Sequence, residues 1–252
     1  MPAGIAKPRQ DEHRKPLDEN TSITRVWHWR ITTESPRPDD LTLLSESELN
    51  RANRMRGGRS AAEYVTCRAT VRRLLADFLG SEPADVPLGR RPCPGCGSVD
   101  HGPPAVLTPG GGPLLSISHS AGLGMLALSD APVGVDVEAF RDVPVAELAV
   151  AALTPAERNI VLDAPEPHRT GLFLRCWTRK EAVLKAVGIG VTASLTALET
   201  KADRPGPVKV TTGPAHSVAA TWWVTDLSVP HGWTASLASP TAGGRTITVQ
   251  AL

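Results

Sequence analysis

The sequence predicts an α+β protein built from two similar α+β halves, related by pseudo-twofold symmetry, with the active site in the cleft between them. The first observation is a capping box, a Ser or Thr followed three residues later by Glu, which marks a helix start and occurs twice. The second is a cysteine 22 positions after each box, at the beginning of a helical segment. The repeated positions lie 109 residues apart and are Ser45 and Thr154, Glu48 and Glu157, and Cys67 and Cys176. Such a fixed spacing indicates duplication, and chance matching of two generic helices is the alternative.

The first half is predicted to span residues 23–130. Residues 1–22 are polar and contain proline, so we expect them to be disordered. A strand follows at 26–31, and the second segment with helical spacing ends at Gly80, a typical residue after a helix. Residues 81–113 are predicted to form a loop rich in proline and glycine, which includes the cysteine motif described below. Alternating strands are predicted in the segments 114–120 and 124–129.

The second half is predicted to span residues 131–252 and to repeat this order. Its first strand is the segment VGVDVEAF, and its long helix contains CWTRKEAVLKAVG. Near the end of the chain, HGWTASLAS resembles AGLGMLALS of the first half. We therefore place the junction of the halves near Ala131 and a ligand site in the cleft between them.

Composition excludes several classes of protein. The 252 residues carry 27 basic and 26 acidic side chains, and a net charge of +1 argues against a globally basic nucleic-acid binder. No apolar run is long enough to cross a membrane, and the first residues lack the apolar core of a secretory signal. Four cysteines do not make a disulfide scaffold, so the expected location is the cytoplasm.

Two carboxylates lie in the strand that opens the second half. Strand alternation places Asp136 and Glu138 on one face and the neighbouring valines on the other. Two adjacent carboxylates repel each other unless a cation or solvent screens them, and Mg²⁺ accepts one or two such ligands together with water and phosphate oxygens. A solvent-facing strand edge is the alternative interpretation.

A second candidate group lies on the last long helix. Glu181 and Lys185 stand one turn apart on the same face. They could supply a third carboxylate or general base and a lysine for a phosphate. An ordinary Glu–Lys pair, worth about 0.2–0.5 kcal/mol, is the alternative.

Two further segments carry groups that could bind phosphate. Ser118 and His119 lie at a strand end followed by Ala and Gly, although a lone histidine is more often structural. A basic run from Arg51 to Arg73 contains seven arginines with only Glu63 opposing them. Arginine binds phosphate through a planar fork of donors, and a solvated helix face is the alternative.

The loop 81–113 contains the motif Cys93-Pro94-Gly95-Cys96, followed by His101. This arrangement resembles half of a zinc knuckle, but a closed zinc site needs a fourth ligand and no second CxxC exists. The sequence leaves the question of zinc open. Cys67 and Cys176 lie among apolar neighbours and are predicted to be core residues.

Three motifs, SISHS, GVDVE and WTRKEAVLKAVG, resemble the 4′-phosphopantetheinyl transferases in their order and separation. The similarity covers about residues 40–240 and is to the larger, pseudo-dimeric type that activates polyketide and nonribosomal peptide synthetases. The CPxCG and HGxP segment is similar to a loop of actinobacterial members. The resemblance implies transfer of phosphopantetheine from coenzyme A to a serine of an acyl or peptidyl carrier protein, releasing adenosine 3′,5′-bisphosphate.

The resemblance also implies roles for residues at the matching positions. Asp136, Glu138 and Glu181 would hold Mg²⁺ against the pyrophosphate. Glu181 would be the base for the carrier serine, and Lys185 would contact the pyrophosphate and steady the leaving phosphate. Asp136 and His119 complete the expected catalytic set.

The expected coenzyme A ligands are Ser118, His119 and Lys185, with Arg51 at the 3′-phosphate. One departure concerns the GxP element, which in the family usually carries Lys or Arg between Gly and Pro. Here the candidates are Gly102-Pro103-Pro104 and Gly111-Gly112-Pro113, and neither carries a cation. Either another arginine, such as Arg90 or Arg91, replaces it or coenzyme A affinity is reduced.

Pseudo-dimeric members complete their site within one chain, so we expect a monomer that binds neither nucleic acid nor membrane. A metal-dependent phosphodiesterase that activates water with the same carboxylates is the first alternative. A non-catalytic homologue that binds carrier proteins and an RNA-binding module built on the arginine run are the others.

Overall fold

The computed structural model describes residues 22–56, 58–190, 194–240 and 245–252. The disorder predicted for residues 1–22 therefore falls almost entirely outside the described residues. The described strands are β1 Ser22–Arg30, β2 Leu88–Arg90, β3 Pro104–Val106, β4 Leu114–Ser120, β5 Leu123–Ser129, β6 Gly134–Ala139, β7 Val208–Thr212, β8 Ala220–Leu227, β9 Trp233–Ser239 and β10 Arg245–Ala251. The α-helices are α1 Pro38–Leu41, α2 Glu46–Asn53, α3 Gly58–Leu79, α4 Val145–Ala152, α5 Pro155–Asp163 and α6 Glu166–Val187.

The described strands form two sheets, which confirms the predicted α+β class. The first has the order β10-β1-β5-β4-β3-β2, and the second has the order β6-β9-β8-β7. The hairpin β4–β5 and its counterpart β8–β9 are both antiparallel. The chain does not divide cleanly at residue 131, because β10 leaves the second half and pairs in parallel with β1.

Each half covers its sheet with one 22-residue helix. Helix α3 packs on the outer face of the first sheet, where Leu75, Leu115 and Leu126 share a core. Helix α6 packs on the second sheet through a cluster that includes Leu184 and Val224. The inner faces of the two sheets meet in a further core, which contains Val26, Leu123, Met125, Val135, Val137 and Leu237. The layers are therefore helix, sheet, sheet and helix.

Both predicted capping boxes are present. The Ser45 hydroxyl accepts a hydrogen bond from the Glu48 N–H, and Thr154 and Glu157 repeat this geometry at α5. Each glutamate is also buried and ties its short helix to the rest of its half. Glu48 receives Arg68 at 2.6 Å and Arg72 at 2.8 Å. Glu157 lies 2.5 Å from Lys180 and accepts two bonds from Thr200.

The predicted core cysteines are buried in these helices, with Cys67 1% and Cys176 0% exposed. The long helix of the first half ends at Gly80, whose φ of 67° favours glycine. No helix in the described part of the chain is both long enough and apolar enough to span a membrane.

Candidate active site

Three serines of β4 hold β6 in place. Alternation along β4 points Ile117 toward α3, while the serines face the second sheet. Because β6 is an edge strand, its outer N–H groups need partners from outside its own sheet. The serine hydroxyls provide them: Ser116 accepts from Val135 at 3.0 Å, Ser118 from Val137 at 3.3 Å and Ser120 from Ala139 at 3.3 Å. This serine ladder fixes the register of β6 against the first half.

The ladder also binds the carboxylates of β6. The Ser118 hydroxyl donates to Asp136 Oδ1 at 2.8 Å, and the Ser120 hydroxyl donates to Glu138 Oε2 at 2.8 Å. Asp136 is 4% exposed. Ser118 was predicted to bind coenzyme A, and its hydroxyl is engaged with Asp136 and Lys185 in this structure.

Helix α6 brings Glu181 and Lys185 to the same place. The approach is close because Gly134 has no side chain: a Cβ there would lie 1.8 Å from the Ala182 carbonyl oxygen. Lys185 Nζ donates to Asp136 Oδ1 at 2.6 Å and to the Ser118 hydroxyl at 3.0 Å. The structure therefore joins the GVDVE strand, the SISHS strand and the long helix in one cluster.

Two carboxylate oxygens in this cluster are buried without a hydrogen-bond partner, Asp136 Oδ2 and Glu181 Oε1. Burial raises the pKa of Glu181, and the neighbouring charge of Asp136 raises it further, while Lys185 opposes the shift. Burial also raises the pKa of Glu138, against the Ser120 hydrogen bond. An unsatisfied, mutually repelling set of carboxylates is the arrangement that a bound cation would stabilise.

A cleft of about 260 Å³ is lined by Lys185, which connects it to Asp136 of this cluster. Its cationic lining consists of Arg51, Arg68, Arg90 and Lys185. Burial lowers the pKa of Arg90, and the charges of Arg68 and Arg51 lower it further, so these guanidinium groups repel one another. Such a concentration of positive charge suits an anionic ligand with more than one phosphate.

His119 lines the same cleft on the opposite face of β4 from the serine ladder. About one third of its side chain is exposed, and Nδ1 lies 4.0 Å from a Glu63 oxygen. Partial burial lowers the pKa of His119, and Glu63 opposes that shift while Lys185 and Arg51 add to it. A neutral imidazole in this position can accept or donate a hydrogen bond.

Three of the seven arginines of the basic run are paired with buried acidic side chains. Glu63 is not its only opposing charge, because Asp40 receives Arg73 at 2.7 Å and the buried Glu48 receives both Arg68 and Arg72. Sequence spacing could not show these pairs, since the acids lie 20 or more positions before their partners. Arg68, Arg72 and Arg73 therefore belong to an ion-pair network of the fold, while Arg51 and Arg68 line the cleft.

The structure shows which arginine lies near the GxP element, which lacks a cation of its own. Gly102, Pro103 and Pro104 line the cleft, and Arg90 lies beside them with its guanidinium donating to the Gly102 carbonyl at 2.7 Å. Of the two arginines near in sequence, Arg90 reaches this cleft.

Cys93, Cys96 and His101 lie together in the loop between β2 and β3. Their potential ligand atoms are all within 4.8 Å of one another, and among the described residues they are the only such group of three or more. Asp136, Glu138 and Glu181 are thus more widely spaced. Mg²⁺ keeps several waters when it binds protein carboxylates, so a spacing wider than that of a zinc site is compatible with it.

Sequence reasoning missed the serine ladder and the place of Arg90 in the cleft. The ladder had a signal, serines at alternating positions of SISHS, but their target lies on a different sheet. The fold and the site together define a four-layered α+β protein with a cationic cleft that Lys185 connects to a cluster of carboxylates.

Comparisons with known proteins agree with that class. The 4′-phosphopantetheinyl transferase superfamily matches residues 132–238. The 4′-phosphopantetheinyl transferase HetI of Nostoc sp. is 31% identical over 211 residues, covering 81% of this chain and 85% of HetI. The 4′-phosphopantetheinyl transferase Sfp of Bacillus subtilis is 26% identical over 102 residues, covering 40% and 45%. The chain belongs to the 4′-phosphopantetheinyl transferase family and is an enzyme of that class.

Proposed function

We propose that this enzyme transfers 4′-phosphopantetheine from coenzyme A to a serine of apo acyl or peptidyl carrier proteins and releases adenosine 3′,5′-bisphosphate. The observation that carries the proposal is the meeting of Asp136, Glu138, Glu181 and Lys185 beside a cleft lined by arginines. Family membership supports the type of reaction, and the cationic cleft supports a polyphosphorylated donor.

The donor is held by the cations of the cleft. Arg51 and Arg68 on the α2–α3 side, with Arg90 and His119, offer donors for the phosphates of coenzyme A. We assign to Arg90 the role of the basic residue that the GxP element lacks, because it lies at that element and its charge is unpaired by any carboxylate among its described contacts. Arginine recognises phosphate with charge-assisted bonds.

The carboxylates fit a hard divalent cation such as Mg²⁺. Asp136, Glu138 and Glu181 would hold it, Asp136 and Glu181 through their oxygens that lack hydrogen-bond partners, with water completing the coordination. When bound, the cation would supply positive charge to the pyrophosphate and to the leaving phosphate.

Among the residues of this chain, Glu181 would accept a proton and Lys185 would stabilise negative charge during the reaction. The carrier serine oxygen bonds to the phosphorus that bears pantetheine, and the bond from this phosphorus to the bridging oxygen breaks. Glu181, whose pKa is raised by burial, accepts the serine proton directly or through one water. Lys185 lines the cleft and steadies the charge that develops on adenosine 3′,5′-bisphosphate. Asp136 keeps Lys185 in position through their 2.6 Å contact.

The water-activating phosphodiesterase is not favoured, because the chain's relatives are transferases. The RNA-binding module is not favoured either, since Arg68, Arg72 and Arg73, three of the seven arginines of the basic run, are paired with acidic side chains. We further propose that the enzyme acts as a cytoplasmic monomer, with coenzyme A and carrier proteins of polyketide or nonribosomal peptide synthetases as its partners.

The test is intact mass spectrometry of an apo carrier protein incubated with the enzyme, coenzyme A and Mg²⁺. We expect a mass gain equal to the phosphopantetheine arm, lost with EDTA, restored by excess Mg²⁺, and lost in Glu181→Gln. Glu166→Gln, at the exposed start of the same helix, is the matched control and should keep the activity. Breakdown of coenzyme A without carrier modification would overturn the proposal in favour of hydrolysis.

Arg90 is tested by Arg90→Met, with the adjacent exposed Arg91→Met as control. Loss of one hydrogen bond to a charged group costs about 1.5–3 kcal/mol. The KM for coenzyme A should therefore rise about tenfold or more, since 1.4 kcal/mol is a factor of ten. An unchanged KM in Arg90→Met would remove Arg90 from phosphate binding.

A further inference from the structure

The loop between β2 and β3, residues 91–103, contains a second cluster of chemically active side chains. Strands β2 and β3 pair at its base, and the Arg91 N–H donates to the Pro103 carbonyl at 2.9 Å. Cys93 lies on the outgoing arm and His101 on the returning arm, so their meeting depends on the closed loop. Both cysteines are free thiols.

The backbone around the cysteines has the shape of a metal-binding turn. The backbone of Gly95 and Cys96 lies close enough to the Cys93 sulfur to lower the pKa of this thiol. The Gly97 N–H donates to the Cys93 carbonyl at 2.8 Å, and Gly97 has a φ of 77° that favours glycine. The turn thus places the two sulfurs within 4.8 Å of each other.

His101 adds an imidazole nitrogen to the two sulfur atoms. His101 Nε2 lies 3.1 Å from the Cys96 sulfur, and all three ligand atoms are within 4.8 Å of one another. Tetrahedral zinc holds sulfur at about 2.3 Å and nitrogen at about 2.0–2.1 Å, so its ligands are about 3.5–4 Å apart. The His101–Cys96 pair, at 3.1 Å, is slightly too close and must move apart, and any pair wider than about 4 Å must move together, so small side-chain shifts suffice to bind one ion.

We propose that Cys93, Cys96 and His101 bind one Zn²⁺ ion, with a solvent molecule as the fourth ligand. Binding converts the two thiols to thiolates and releases their protons to solvent, so the bound ion and its ligands carry no net charge. This site is separate from the carboxylates and uses a different ligand chemistry: thiolate and imidazole favour zinc, and carboxylate favours magnesium.

The ion would cross-link the two arms of the loop that forms one wall of the coenzyme A cleft. His101, Gly102, Pro103 and Pro104 form that wall. The other side of the loop packs against the end of α6, where Cys93 joins the core of Val187 and Ile189. Cross-linking the two arms lowers the number of conformations open to the loop, and so holds the wall at a fixed distance from Lys185. The binding site itself does not rest on the proposed function; only its effect on coenzyme A does.

The first measurement is metal content and requires no activity. Protein produced with added zinc should contain one Zn²⁺ per chain by elemental analysis, and Co²⁺ in its place should give thiolate-to-cobalt charge-transfer absorption. Cys96→Ser and His101→Ala, both at exposed positions, should lose the ion and this absorption. Asp100→Asn in the same loop and His231→Ala elsewhere should keep both. Absence of zinc and cobalt binding in the wild type, equal binding in the two ligand variants, or a Cys93–Cys96 disulfide that forms in protein purified with a reducing agent would overturn the proposal.

The second measurement separates the zinc site from the catalytic metal. Enzyme stripped of zinc and supplied with excess Mg²⁺ should show a severalfold higher KM for coenzyme A with a nearly unchanged kcat, reversed by one equivalent of Zn²⁺. His101→Ala should have the high KM in either state. If the protein binds zinc but its KM for coenzyme A is the same with and without zinc, zinc has no role in positioning the cleft wall. The transferase assignment would not be affected by that result.

Discussion

Gly134 controls how closely α6 approaches the catalytic strand. An alanine Cβ at this position would lie 1.8 Å from the Ala182 carbonyl oxygen and 2.6 Å from the Ala186 nitrogen. Both are helix backbone atoms, which cannot rotate away as a side chain would. Real Cβ atoms are not found closer than 3.0 Å to such atoms, so the strand and the helix must separate by about 1.2 Å, the difference between those distances.

That separation acts directly on the catalytic groups. Strand β6 is held by the serine ladder, and Glu181 and Lys185 lie on the displaced turn of α6. The Lys185–Asp136 contact of 2.6 Å would lengthen to about 3.8 Å, beyond a hydrogen bond. A misplacement of about 1 Å can reduce the rate about 100-fold, and overpacking costs about 1–3 kcal/mol of stability.

The assay is the initial rate of carrier modification, together with urea unfolding of the same samples. We expect Gly134→Ala to fold, with a free energy of unfolding lower by about 1–3 kcal/mol and a rate of carrier modification lower by about 100-fold. Gly110→Ala is the matched control, because nothing lies within 4 Å of its new Cβ. A Gly134→Ala enzyme with wild-type rate and midpoint would show that α6 and β6 are not held in this register.

Three further predictions concern stability. Ser116→Ala should cost about 1–3 kcal/mol in urea unfolding by leaving the buried Val135 N–H unpaired, and a neutral result would mean that water replaces the hydroxyl. Burial alone would raise the pKa of Glu48, but Arg68 and the Ser45 N–H hold this pKa below its ordinary value of 4.5. The contribution of Glu48 to the free energy of unfolding should therefore be complete above pH 4.5 and be lost as the pH falls below it. Glu48→Gln should lack this decline. Burial and Asp136 raise the pKa of Glu181 above 4.5, so metal-free enzyme should lose stability as the pH rises through the raised value. Glu181→Gln should unfold at a higher temperature than wild type at pH 7 without metal, with no difference at pH 4; a less stable variant at pH 7 would contradict the burial of an uncompensated charge.

The sequence was sufficient to predict what depends on local pattern. The capping boxes at Ser45 and Thr154, the helix end at Gly80 and the strands SISHS and GVDVE all have short-range signals, and the structure confirms them. The 109-residue offset predicted two comparable halves, and the paired 22-residue helices agree with it.

Long-range contacts could not be predicted in the same way. Glu48 reaches Arg72 across 24 positions, and Lys185 reaches Ser118 across 67. Nothing in the local sequence distinguishes a buried Glu from an exposed one at the third position of a helix. The roles of Asp136, Glu138, Glu181, Ser118 and His119 stay predictions, and the contacts of these residues in the structure show which variants test them.

The crossing of β10 into the first sheet has a consequence for synthesis of the chain. Residues 22–28 pair with residues 245–251, so the first sheet gains its outer strand only after more than 200 further residues have been made. Until then β1 is an open sheet edge, the kind of surface that pairs with other chains. Contacts this distant in sequence also slow folding. Production at low temperature or with chaperones should therefore improve the yield of folded enzyme more than a faster rate of expression does.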